Sequence, residues 1–112
     1  MKGLERAMLV TDGMAATGMP DGTYMLGDLE VVVANGVCMS DGVLAGSVLT
    51  MDRAVRNVQA FTGIDLPAAV RLATRNPEAM LGMDHAYASA DFNVYDASGV
   101  RTGTILRGQL LD

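Results

Sequence analysis

The sequence has no tryptophan, a single cysteine, a single histidine and three prolines, and only 4% of its residues are aromatic. Each scarcity excludes something. A lone Cys38 permits no internal disulfide, so a reducing, cytoplasmic setting is expected. Catalytic zinc usually takes three protein ligands, and one His and one Cys far apart in sequence give no recognisable ligand motif. With two Phe and three Tyr, a core has to be assembled from Ala, Val, Leu and Met. Basic residues are also few: Lys and Arg total 8 against 13 Asp and Glu, a formal net charge of -5. No basic cluster exists to neutralise a phosphate backbone, which argues against nucleic acid as a partner. An acidic chain is likewise repelled by anionic membrane surfaces. No apolar run approaches the ~20 residues that span a bilayer. The start, MKGLERAMLV, carries Glu5 and Arg6 inside its apolar pattern and does not read as a signal peptide. Finally, 112 residues cannot hold a complete eight-stranded α/β barrel, which needs roughly 250.

What is present is a globular composition, 50% hydrophobic and 19% charged. Residues 4–11 finish as Met8-Leu9-Val10-Thr11 and read as a short buried strand. Residues 12–22 are glycine-rich and end in the turn Pro20-Asp21-Gly22. Residues 24–38 read as a hairpin around Asn35-Gly36, with a second turn at Ser40-Asp41-Gly42 and a short loop over 43–48. Thr50 is placed to cap a helix whose apolar positions are Ala54, Val55, Val58 and Phe61, stopped by Gly63. Asp65 caps a second helix with the stripe Leu66, Ala69, Val70 and Ala73, ended by Asn76-Pro77. One further turn over 77–81 is closed by Gly82. Residues 90–96 and 102–111 have strand character, the latter broken by Gly108. The first strand has no partner next to it in sequence. Its edges must pair within this chain in some new way or be supplied by another chain, because unpaired buried backbone is costly.

Asp12 is the sharpest single candidate for chemistry, since it stands where an apolar strand opens into a glycine-rich loop. A carboxylate there can accept a proton or bind a metal; the plainer reading is an Asp that caps the turn before Gly13. A carboxylate-only cation site from Asp12, Asp21, Asp28 and Glu30 competes with solvated turn and edge charges. His85, beside Asp84, reads as a loop-bracing residue rather than a proton shuttle. Cys38, between Val37 and Met39, reads as a small apolar strand residue. The stretch from Gly42 to Ser47 could present backbone N–H groups to an anion or acyl oxygen, yet it lacks the phosphate-loop pattern. Arg53, Arg56, Arg71 and Arg75, spaced by three and four, read as the polar face of the two helices rather than as a phosphate clamp. Of nine methionines, Met14 and Met19 lie in a loop, where they can line a pocket or an interface.

Four blocks in register carry more information than any one residue. Leu9-Val10-Thr11-Asp12-Gly13-Met14 with Ala16-Thr17-Gly18 and Pro20-Asp21-Gly22 comes first. Leu44-Ala45-Gly46-Ser47-Val48-Leu49-Thr50-Met51-Asp52 follows, then Ala73-Thr74-Arg75-Asn76-Pro77-Glu78-Ala79, then Ala90-Asp91-Phe92. Together they closely resemble the C-terminal part of N-acetylglucosamine-6-phosphate deacetylase, of the amidohydrolase superfamily. The resemblance implies an α/β fold: an incomplete C-terminal fragment of a metal-dependent (β/α) barrel, with hairpins, two main helices and strands of the flanking small β-sandwich. Residues 1–87 would be the barrel segment and 88–112 the small β domain. In that family the aspartate ending the eighth barrel strand activates a metal-bound water and then protonates the leaving amine, and Asp12 matches it. Leu44, Ala45 and Gly46 match positions bordering the substrate's acetyl group. The family's metal-binding Glu and two His lie upstream of anything this chain contains, as do its sugar-phosphate contacts. No cofactor is therefore expected on the isolated chain, although a divalent metal, zinc or similar, is implied for the complete enzyme. An amino-sugar phosphate is the implied ligand, and the chain alone is expected to be inactive. The alternatives are a noncatalytic module that self-associates as a homo-oligomer, and a subunit that completes a partner holding the missing barrel portion.

Overall fold

A computed structural model describes residues 3–83, 90–98 and 100–111. The chain divides into two compact units, Met1–Pro77 and Glu78–Asp112. Among the described residues, no helix is long and apolar enough to cross a membrane.

The first unit contains an antiparallel meander of four strands in sequential order: β1 (Gly22–Leu26), β2 (Leu29–Ala34), β3 (Val37–Ser40) and β4 (Val43–Gly46). Two of its turns share one solution. Asn35-Gly36 and Asp41-Gly42 both place two successive residues at positive φ, 52° and 75° in the first and 48° and 76° in the second. Such pairs match the twist of the flanking strands. The side chain of Asp21 reinforces the first turn by accepting a hydrogen bond from the Asn35 N–H at 2.9 Å. Residues 43–46, expected as loop, are thus a strand. The Asp41-Gly42 turn returns them to β3, and Gly46 does not prevent their pairing.

Alternation in β2 sends Val31 and Val33 inward, and Cys38 pairs opposite Val33 on β3. With Ala16 from the preceding loop these make the buried core, flanked by Met14, Tyr24, Ala45 and Val48. The fully buried Cys38 donates to the Met14 sulfur at 3.2 Å, so it behaves as the small apolar residue expected of it.

Helix α1 (Met51–Thr62) starts after Thr50 and ends at Gly63, whose φ of 72° supplies the left-handed cap. Thr50 occupies the N-cap position, but its side chain bonds no helix N–H. The hydroxyl bonds the Asp52 carboxylate instead. That bond, helped by the Arg53 N–H and the Arg56 charge, holds Asp52 below the usual aspartate pKa against a partial desolvation. Helix α2 (Leu66–Ala73) is capped by the Asp65 carboxylate, which accepts from Ala68 N–H at 2.9 Å. Ala69 and Leu72 are its buried positions, while Leu66 and Val70 remain exposed. The helical break falls at Thr74, earlier than Asn76, and α3 (Arg75–Met80) follows at once. Pro77 lies in the first turn of α3, where a missing N–H is harmless.

Residues 4–11 do not form the expected strand. Leu4–Arg6 make one 3-10 turn, and residues 7–11 are in neither helix nor strand. Among the described residues no strand lies beside them, and a ladder needs a partner. Two other anchors take over. Leu9 N–H donates to the Leu72 carbonyl at 2.9 Å. Asn76, buried, donates from Nδ2 to the carbonyls of Leu4 and Ala7, both at 2.7 Å, and accepts from Arg71 Nε at 3.2 Å.

The second unit holds a three-stranded antiparallel sheet, β5 (Phe92–Tyr95), β6 (Arg101–Leu106) and β7 (Gln109–Leu111). Residues 102–111 are two strands rather than one, joined at Arg107-Gly108, where φ is again positive at both positions. Phe92, Ile105 and Leu110 stand opposite one another across the sheet, which gives it one apolar face.

Asn76 therefore gives a direct test of what holds residues 4–7. Asn76→Ala leaves two carbonyls and the Arg71 guanidinium short of a partner. The expected loss is about 1–3 kcal/mol of stability, read as a lower urea midpoint with an unchanged slope.

Candidate functional site

The glycine-rich loop is fixed to the end of β4. Gly13 forms a parallel bridge with Ser47. Met14 N–H donates to the Ser47 carbonyl at 2.9 Å, and Ser47 Oγ donates to the Thr11 carbonyl at 2.7 Å. Thr17 Oγ1 reaches the same Ser47 carbonyl at 3.4 Å. A Cβ on Gly13 would stand 2.7 Å from Thr17 Oγ1, so the absence of a side chain there permits the approach. Ala16, fully buried, seats the far side of the loop on the core.

Asp12 lies between these anchors. It is exposed, and its φ is 48°. Residues other than glycine rarely adopt this left-handed conformation, although Asp tolerates it better than most. The carboxylate is thus presented to solvent from a strained but doubly anchored backbone.

The structure brings Asp12 beside the Leu44–Ser47 stretch that the sequence singled out separately. Within it the three expected positions differ. Met39 pairs with Leu44 and Cys38 with Gly46, which leaves Ala45 as an extra residue on β4. This is a β-bulge, a device that re-aims side chains. Leu44 points outward and is 70% exposed, whereas Ala45 packs on the core. Gly46 lies under Met14, whose sulfur is 3.4 Å from where a Cβ would be.

The remaining candidates disperse. Asp21 is engaged with the Asn35 turn, and among the described residues no three His, Cys, Asp or Glu side chains are grouped to hold a metal ion. His85 lies outside the described residues. Arg56 pairs with Asp52, and Arg71 lies 3.6 Å from Glu5. Met14 is half-buried against the core, and Met19 is exposed. Two side chains organise the site: Ser47, which the sequence offers only as the end of a loop of backbone N–H groups, and Thr17, which it offers no role. Both lie inside the blocks that carry the resemblance, but nothing in their spacing reveals a hydrogen bond across thirty positions.

The fold is that of a partial (β/α) barrel of the kind seen in deacetylase structures, with helices and two small antiparallel sheets. In sequence and in structure the chain is homologous to the N-acetylglucosamine-6-phosphate deacetylase family, over part of its members' length. It is 42% identical to an N-acetylglucosamine-6-phosphate deacetylase of Vibrio furnissii, over 80% of this chain and 23% of that protein. It is 47% identical to a putative N-acetylgalactosamine-6-phosphate deacetylase of Escherichia coli K12, over 71% of this chain and 48% of the relative. The crystal structure of the Mycobacterium smegmatis N-acetyl-D-glucosamine-6-phosphate deacetylase superimposes with a TM-score of 0.84 at 37% identity, covering 98% of this chain and 32% of that one. No family model matches the chain. The chain thus spans less than half the length of these relatives.

The site yields one prediction about Asp12 itself. Asp12→Gly should change stability by less than ~0.5 kcal/mol, because glycine accepts positive φ freely. Asp12→Val should cost about 1–2 kcal/mol, because a β-branched residue resists it. Chemical denaturation of the two variants side by side checks this.

Proposed function

We propose that the chain is the C-terminal portion of a deacetylase of N-acetylated amino-sugar phosphates, carrying one part of its active site. Residues 1–87 act as the barrel segment and residues 88–112 as strands of the small β domain. The observation that carries this reading is the exposed Asp12 carboxylate, held at positive φ beside the Leu44–Ser47 stretch. A carboxylate so placed accepts a proton from the water that attacks the acetamide carbonyl, then returns a proton to the amine that leaves. Leu44, Ala45 and Gly46 border the acetyl group. Acetate and glucosamine 6-phosphate are the products. The single cysteine, buried and unpaired, is in keeping with a cytoplasmic site of action.

The residues described here do not fit a metal site, because no three ligating side chains meet. In this reading both the metal ligands and the sugar-phosphate contacts come from outside these residues. The chain by itself is accordingly expected to give no turnover of N-acetylglucosamine 6-phosphate, or of its galactosamine epimer, with added divalent metal. Refolded together with the remaining two-thirds of a relative, it should restore turnover, and Asp12→Asn should lower that by roughly 100-fold or more. Asp12-dependent turnover by the chain alone, or restored turnover indifferent to Asp12→Asn, would overturn the reading.

A second reading, a noncatalytic self-associating module, is favoured by a different observation. Val10, Leu44 and Phe61 are 71%, 70% and 82% exposed, and Phe92 and Leu110 are exposed on the second sheet. Apolar surface of this kind marks interaction sites. Light scattering at micromolar concentration is expected to show species heavier than 11.7 kDa; a purely monomeric solution would count against it.

A further inference from the structure

We infer that Ser47 is a positioning residue for Asp12: it holds the backbone on both sides of the carboxylate and fixes the left-handed conformation that presents it. The inference rests on the role proposed for Asp12 but is tested without it. Ser47 Oγ donates to the carbonyl of Thr11, one residue before Asp12, at 2.7 Å. The Ser47 carbonyl accepts from the N–H of Met14, two residues after it, at 2.9 Å. One residue thus closes a clamp around Thr11-Asp12-Gly13-Met14.

The clamp is itself braced. Ser47 Oγ accepts from Leu49 N–H at 3.2 Å, which aims its proton at Thr11. Thr17 Oγ1 adds a second donor to the Ser47 carbonyl. An alanine at position 47 would keep the carbonyl that Met14 bonds but lose the bond to Thr11, and with that side of the clamp released the Met14 bond would open more readily. The chain before Asp12 would then be free to relax toward negative φ, which L-residues prefer. Asp12 would remain in the molecule but lose its fixed direction. Threonine keeps the hydroxyl and should keep the clamp.

Solution NMR on the labelled full chain tests this with a readout independent of turnover. Wild-type protein should show left-handed Cα and Cβ shifts at Asp12 and a protected Met14 amide. In Ser47→Ala the Asp12 shifts should move toward extended values and the Met14 amide should exchange roughly tenfold faster. Resonances of β2, α1 and α2 should stay in place, and Ser47→Thr should retain the wild-type pattern. A merely structural role would lower the melting temperature and leave the Asp12 signature of the folded molecules intact; that result overturns the inference. Loss of the signature in Ser47→Thr overturns it too. Should Ser47→Ala fail to fold, the wild type and Ser47→Thr decide: an Asp12 averaged over conformations, or an unprotected Met14 amide, sinks the clamp. A silent deacetylation assay bears on the role of Asp12 and leaves this result unaffected.

Discussion

The packing of Ala16 against Val31, Val33 and Cys38 turns a glycine-rich loop into a fixed part of the molecule. A loop of this composition loses much conformational entropy when it is ordered. The offset comes from apolar burial at its far side and from hydrogen bonds to the end of β4 at its near side. The core is small, and its side chains alternate cleanly along β2, so the register of the meander is well specified. That register sets where β4 ends and therefore where Ser47 stands. Asp12 does not touch the core, yet its direction depends on it.

Most of the secondary structure could be read from the residues. Asn35-Gly36, Gly63, Asp65 and Gly82 each mark a boundary by local chemistry, and each lies where the chain turns or stops. The failures have physical causes. Residues 4–11 have the composition of a strand, but strand formation depends on partners that sequence composition does not reveal. Residues 43–46 look like loop because they are short and contain glycine. The Asp41-Gly42 pair before them is the same turn signal as Asn35-Gly36 and returns them to the sheet in the same way. Thr50 marks a helix start, although its hydroxyl serves Asp52 rather than the backbone. At the site, the residue types pointed to Asp12 and the Leu44–Gly46 stretch. Ser47, Thr17 and Asn76 act through long-range hydrogen bonds, which leave no periodic trace in a single sequence.

Two features of the described residues look inefficient in isolation. Large apolar side chains lie exposed on both units, Phe92 and Leu110 at the two ends of the row across β5, β6 and β7 among them. Three strands with one apolar face need something packed on that face for independent stability. Asn76 shows a different response to the same shortage. Among the described residues no strand lies beside residues 4–11, and a buried amide satisfies two of their carbonyls in place of a ladder. Polar satisfaction and apolar burial are met here by different means, and the first is met more fully.

The bulge at Ala45 sets the phase of everything downstream of it. Side chains on a strand alternate with a period of two, yet Leu44 stands opposite Met39 and Gly46 opposite the adjacent Cys38, because Ala45 is left without a partner of its own. Were the ladder continued evenly, with Ala45 opposite Cys38, every later residue would fall on the other face of the sheet. The hydroxyl of Ser47 would then turn away from the Thr11 carbonyl that it now meets.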